Sequence, residues 1–172
     1  MKKVKSILAL ALSATLLLAL LCACGEPAAS GNADVTIDLN ALWTNISALG
    51  DEDGALSEMA FIEVTDDDLA NIYDIDAADL DGYLARVPMM NVSATEFFMA
   101  KVKDGKMDTV KAALEARQAN LVTTWSSYLP DQYDLVKNYK LVTNGSYVFF
   151  AVSKFADQAE TLFNDAITAA KS

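Results

Sequence analysis

From residue 83 onward the apolar positions fall into two rhythms. Residues 83–92 and 95–103 predict two strands around a bend at 91–94. Phe98, Ala100 and Val102 share one face of the second, and Phe97, Met99 and Lys101 share the other, the period of two that a pleated strand imposes. Pro88 lies inside the first and predicts an edge strand or a bulge, because proline has no N–H for a ladder. Asp104-Gly105 interrupts the pattern. Residues 106–127 then predict the longest helix, with Met107, Val110, Leu114, Leu121 and Trp125 on one stripe, ended by Tyr128-Leu129-Pro130. Residues 135–143 and 146–153 predict a second strand pair joined at Asn144-Gly145, a dipeptide that favours tight hairpins. Residues 147–152 are apolar on both faces and belong inside a sheet. Residues 157–170 predict a closing helix whose face is Ala159, Leu162, Phe163, Ala166 and Ile167.

The earlier part is less regular. Between residues 35 and 49, Ile37, Leu39, Leu42, Ile46 and Leu49 approach helical spacing, with Asp38 or Asn40 as N-cap and Gly50 as stop. Residues 51–81 hold twelve acids and no Lys or Arg. Within them Thr65 is placed to cap a short helix, and Asp66, Asp67 and Asp68 fall in its first turn, where the helix dipole favours anions. The expected fold class is α+β. A four-stranded, mainly antiparallel sheet from two hairpins packs against two helices in the order ββαββα, after an irregular acidic N-terminal region. The expected organisation is 1–23 leader, 24–34 tether, 35–82 acidic helical or irregular region, and 83–172 α+β domain, the last two packing as one globule.

The first residues carry a different signal. Met1-Lys2-Lys3-Val4-Lys5 is cationic, and residues 7–21 are apolar apart from Ser13 and Thr15. Fifteen residues fall short of the roughly 20 that span a bilayer as a helix, and the pattern is that of a secretory signal peptide. Leu21-Cys22-Ala23-Cys24 then resembles the bacterial lipobox, which marks lipid transfer and cleavage. The match places cleavage between Ala23 and Cys24, with Cys24 as the lipid-attachment residue. Cys22 fits less well as acceptor, because two leucines precede it where small residues are wanted. The resemblance implies a diacylglyceryl thioether on the Cys24 sulfur. Two acyl chains make a stable anchor, at about 0.8 kcal/mol per buried CH₂. The expected location is therefore extracytoplasmic, lipid-anchored to the cell membrane of a Gram-positive type of bacterium.

Charge narrows the chemistry. The chain has 172 residues, 13 Lys+Arg against 24 Asp+Glu, and no histidine. Removing residues 1–23 takes away Lys2, Lys3 and Lys5 and no acid, so the mature chain carries 10 cations against 24 acids, a net of −14. Such an excess argues against nucleic-acid partners, which require phosphate neutralisation. Without histidine, a Ser-His-Asp triad, a Cys-His dyad and a His-rich zinc site are excluded. Residues 74–82 place acids at the first and third positions of a calcium loop, but Ala78 and Asp79 stand where an oxygen ligand and the turning glycine belong. No cofactor and no metal ligand set is expected.

Several stretches together carry a resemblance. Met89-Met90-Asn91-Val92-Ser93-Ala94-Thr95-Glu96, Glu115-Ala116-Arg117, Tyr128-Leu129-Pro130-Asp131-Gln132-Tyr133 and Gly145-Ser146-Tyr147-Val148-Phe149-Phe150 resemble an uncharacterised family of lipoproteins of Gram-positive bacteria, domain of unknown function 4358. The resemblance covers about residues 66–155. It implies a lipid-anchored extracytoplasmic protein and no catalytic residue.

The candidate ligand-binding residues are Arg117, Arg86, Trp125, Tyr128 and Tyr133. Arg117 falls on the apolar stripe of the long helix, where it either pairs with a buried carboxylate or meets an anionic ligand. The aromatic residues either close the core or line a groove. Glu96 and Glu115 lie in the structured half without a recognisable partner. The expected function is a non-enzymatic binding or accessory module at the envelope. It is held to the membrane through the lipid on Cys24 and meets an envelope protein or small ligand. A small carboxylate-dependent hydrolase and a calcium-dependent wall-contact module are the alternatives.

Overall fold

The computed structural model describes residues 35–50 and 56–172. The leader, the tether, Cys24 and the acids at 51–53 lie outside them. In chain order the elements are α1 (Leu39–Ser47), β1 (Phe61–Glu63), α2 (Asp66–Tyr73), β2 (Leu80–Pro88), β3 (Glu96–Val102), α3 (Met107–Trp125), α4 (Pro130–Lys137), β4 (Lys140–Asn144), β5 (Tyr147–Val152) and α5 (Ala156–Ala170). The strands form one antiparallel sheet in the order β1-β2-β3-β5-β4.

The sheet has five strands where four were expected. The addition, β1, comes from the acid-rich stretch and pairs Phe61 with Pro88 and Glu63 with Arg86. Three residues are too short a run for period two to register. Its presence makes β2 an interior strand, so the edge inferred from Pro88 is wrong. Pro88 is the last residue of β2, where a missing N–H matters least, and the bulge lies at the other end, between Leu80 and Gly82.

Helices cover both faces of the sheet. On one face Phe98, Ala100, Val102, Val148, Phe150 and Val152 pack with Leu69 and Tyr73 of α2, Val110, Leu114, Leu121 and Trp125 of α3, and Val136 of α4. On the other, Phe97, Met99, Phe149 and Ala151 pack with Leu42 and Ile46 of α1 and Ala159, Phe163 and Ile167 of α5. Phe149 and Phe163 stack at 5.2 Å between centroids. Every residue of β5 is buried, as its unbroken apolar run predicts. The fold is thus α+β with three layers, and the described residues fall in one compact unit.

The two helix starts expected in the N-terminal region are present. Asp38 caps α1, accepting from the N–H groups of Asn40 and Ala41, and Thr65 caps α2 through Asp68 N–H. α1 stops at Ser47, before Gly50. Another correction lies after α3. Pro130 opens α4 at its first helical position, where proline loses no intrahelical hydrogen bond. The strand expected from residue 135 therefore starts only at Lys140. Asn144 pairs with Tyr147, so the two connecting residues are Gly145 and Ser146. Gly145 has φ +62°, the left-handed value that the first residue of a type II′ turn requires.

Candidate functional site

The α3 stripe and the β3 pleat together create one buried polar cluster. Leu114 and Leu121 turn the face of α3 carrying Arg117 toward the sheet. Glu96 opens β3 on the same face as Phe98 and Ala100, an inward position for a charge. The two meet as a bidentate pair: Arg117 Nε donates to Glu96 Oε1 at 3.0 Å, and an Nη donates to Oε2 at 2.6 Å. The Glu96 side chain is 1% exposed and that of Arg117 is 22% exposed. Tyr73 of α2 completes the cluster, its ring centroid 5.6 Å from Arg117 Cζ. Its hydroxyl is buried without a hydrogen-bond partner of good geometry among the described residues, yet it lies near enough to feel the Glu96 carboxylate.

Burial governs the electrostatics. It raises the Glu96 pKa, against the hydrogen bonds and charge of Arg117 and a smaller contribution from Tyr73. Burial disfavours the Arg117 cation, but the hydrogen bonds and charge of Glu96 outweigh it and raise the pKa. The Tyr73 hydroxyl is raised well above its ordinary range, first by burial and then by the Glu96 charge. The bidentate geometry makes the pair a mutually satisfied unit, and burial favours the protonated phenol beside it. Both Glu96 oxygens are engaged by Arg117, and neither faces solvent.

The sequence offered Arg117 a buried partner but did not identify Glu96, 21 residues away. One signal was available. The residues that share a face with Glu96 along β3 are Phe98, Ala100 and Val102, all apolar, so strand alternation alone marks Glu96 as inward-facing.

The other candidates are dispersed. Arg86 lies on the opposite face of the sheet, where it pairs with Glu63 at 3.2 Å and its Cζ sits 5.7 Å from the Trp43 ring. It also donates to the Ala85 carbonyl at 3.0 Å. Trp125 is buried in the core. Tyr128 lies 5.7 Å from the Trp125 ring but is itself 57% exposed. Tyr133 packs against the same core, with Lys137 Nζ 4.8 Å from its ring centroid. Tyr139 packs on Phe150. These aromatic side chains therefore contribute to core packing, and Tyr128 alone of them presents a largely open ring.

Arg117 lines none of three clefts found among the described residues. One of these, about 810 Å³, lies where β1 leaves β2 and is lined by Glu63, Val64, Thr65, Asp66, Asp67, Tyr83, Leu84 and Ala85. Here the Tyr83 hydroxyl donates to Asp66 Oδ1 at 2.7 Å and meets the Val64 carbonyl at 3.3 Å. Burial and then the Asp66 hydrogen bond raise the Tyr83 pKa. A second cleft of about 460 Å³ follows α2 past Asp74 and Asp76, and a third of about 550 Å³ separates α1 from α5. No group of three or more acidic or cysteine side chains among the described residues converges closely enough to hold a metal ion. Nor is any described helix long and apolar enough to cross a membrane.

No curated protein and no solved structure matches this chain at a significant level. A family profile does match, over residues 55–153. That span takes in all five strands and helices α2, α3 and α4. It includes Tyr73, Glu96 and Arg117 and leaves α1 and α5 outside. With more than half of its length matched, the chain belongs to the family described as domain of unknown function (DUF4358).

Proposed function

We propose that this protein is a lipid-anchored extracytoplasmic module that binds a partner at the bacterial envelope and catalyses no reaction. The observation that carries the second half is the enclosure of Glu96. It is the acid best placed by burial to act as a proton donor, and both of its oxygens are held by Arg117. Hydrolysis by paired carboxylates needs two acids facing one another across a substrate cleft, whereas Glu96 faces a cation in the core. The anchoring half is supported by the basic start, the apolar run and Leu21-Cys22-Ala23-Cys24. With residues 1–23 removed, neither a leader nor a free thiol would accompany the mature domain.

The test is intact-mass analysis of the full chain made in a Gram-positive host. The expected species begins at Cys24 and carries a diacylglyceryl group, while Cys24→Ala leaves the chain unlipidated. An unmodified wild-type N-terminus would refute the anchor. For the non-catalytic half, peptidoglycan fragments are incubated with the purified lipoprotein. Turnover that stops with Glu96→Gln would replace this reading with the hydrolase alternative.

A further inference from the structure

The sheet has an edge that its own first strand leaves unfinished. β2 runs from Leu80 to Pro88, but β1 covers only Arg86, Val87 and Pro88. Beyond that, Val64 N–H donates to the Ala85 carbonyl at 3.2 Å, and the chain then turns away into α2. The hydrogen-bond directions follow from register. Val102 N–H bonds Ser146 on the β5 side, so the even residues of β3 address β5 and the odd ones address β2. Through the pairs Gly82–Lys101, Leu84–Met99 and Arg86–Phe97, the even residues of β2 address β3. The odd residues therefore point outward, and Met89 N–H bonding the Ala60 carbonyl at 2.9 Å agrees. Tyr83 is the odd residue that β1 does not reach. Its N–H and C=O face the 810 Å³ cleft, with no backbone partner among the described residues.

The lining gives the occupant its sign. Glu63, Asp66 and Asp67 border the cleft, exposed Asp81 sits in the bulge at its far end, and Arg86, paired with Glu63 from the other face of the sheet, offsets only one of these four acids. A second copy of this acidic chain would be repelled there, which also guards the open edge against self-pairing. We infer that this edge takes an extended peptide segment rich in lysine or arginine. The segment would add as a short strand end to end with β1, with main-chain bonds to Tyr83 and its cationic side chains over Asp66 and Asp67. This assignment rests on the binding-module reading and names the class of partner for it.

The probe is a labelled peptide alternating lysine and valine, titrated by fluorescence anisotropy against the full chain in detergent. Two control peptides accompany it, one with glutamate for lysine and one N-methylated at alternate amides. Saturable binding of the lysine peptide is expected, with none of the glutamate peptide and at least a tenfold loss on N-methylation. Asp67→Asn should weaken binding roughly two- to fivefold, the effect of one exposed ion pair. Bound peptide should slow hydrogen exchange at the Tyr83 amide. Equal binding of the N-methylated peptide, or no protection at Tyr83, would overturn the strand-addition site and leave a binding module that uses another surface. Failure of the lysine peptide to bind overturns it equally. Cleavage of the peptide would instead overturn the module reading itself.

Discussion

Removing Arg117 isolates a carboxylate in the core, and the structure sets the scale of the consequence. Glu96 is 1% exposed and Arg117 supplies both of its charge-assisted hydrogen bonds. Arg117→Met keeps most of the stem that packs along α3 but strands Glu96 without a counter-charge. Breaking such a buried pair from one side costs about 3–5 kcal/mol, or roughly 6–20 °C in Tm at about 2–4 °C per kcal/mol. Glu96→Gln is milder, about 1–2 kcal/mol, because Arg117 is 22% exposed and its head reaches water. The double variant Glu96→Leu with Arg117→Met removes both charges and should recover most of the loss. The pH dependence has a definite sign. Burial holds the folded Glu96 pKa above its unfolded value, so between the two values the folded state binds more protons. Its contribution to stability is present at low pH and is lost as pH rises through the folded value. Without Arg117 that window widens upward, and the deficit of Arg117→Met should shrink on acidification from about pH 8 to about pH 5. Thermal denaturation of the full chain followed by circular dichroism reads all three variants. A cost below about 1 kcal/mol, a deficit independent of pH, or a double variant less stable than Arg117→Met would refute the reasoning.

Other substitutions probe the frame around this pair. Tyr147→Phe removes the hydroxyl that accepts from Ile37 N–H at 3.0 Å and meets the Val35 carbonyl at 3.4 Å; it should cost about 1 kcal/mol and speed proteolysis just before α1. Asp74 closes α2 at φ 56° and ψ 37°, a left-handed conformation that glycine adopts without a Cβ penalty. Asp74→Gly should therefore stabilise the fold by about 0.5–1 kcal/mol, read as a higher urea midpoint.

Elements whose signals lie within a few neighbouring residues were legible directly. Thr65 followed by three aspartates marks α2, the stripe from Val110 to Trp125 marks α3, and Gly145 closes the β4–β5 hairpin through a conformation other residues resist. The unbroken apolar run of β5 even foretold its interior place in the sheet. α4 was missed because Pro130 both stops a helix and starts one, and local spacing does not choose between the two. β1 was missed because three residues display no period.

The sequence by itself thus determined which segments are helical or extended and which of their faces are apolar, since these depend on dihedral preference and on contacts three or four residues apart. Only the tertiary structure decided that Pro88 ends an interior strand, that Arg86 and Arg117 occupy opposite faces of the sheet, and that Glu96 meets Arg117. Those outcomes follow from packing two helical layers onto one sheet. A buried charge must find its partner among whatever side chains the layers bring within reach, and strand order leaves Tyr83 facing outward because β1 is shorter than the strand it accompanies.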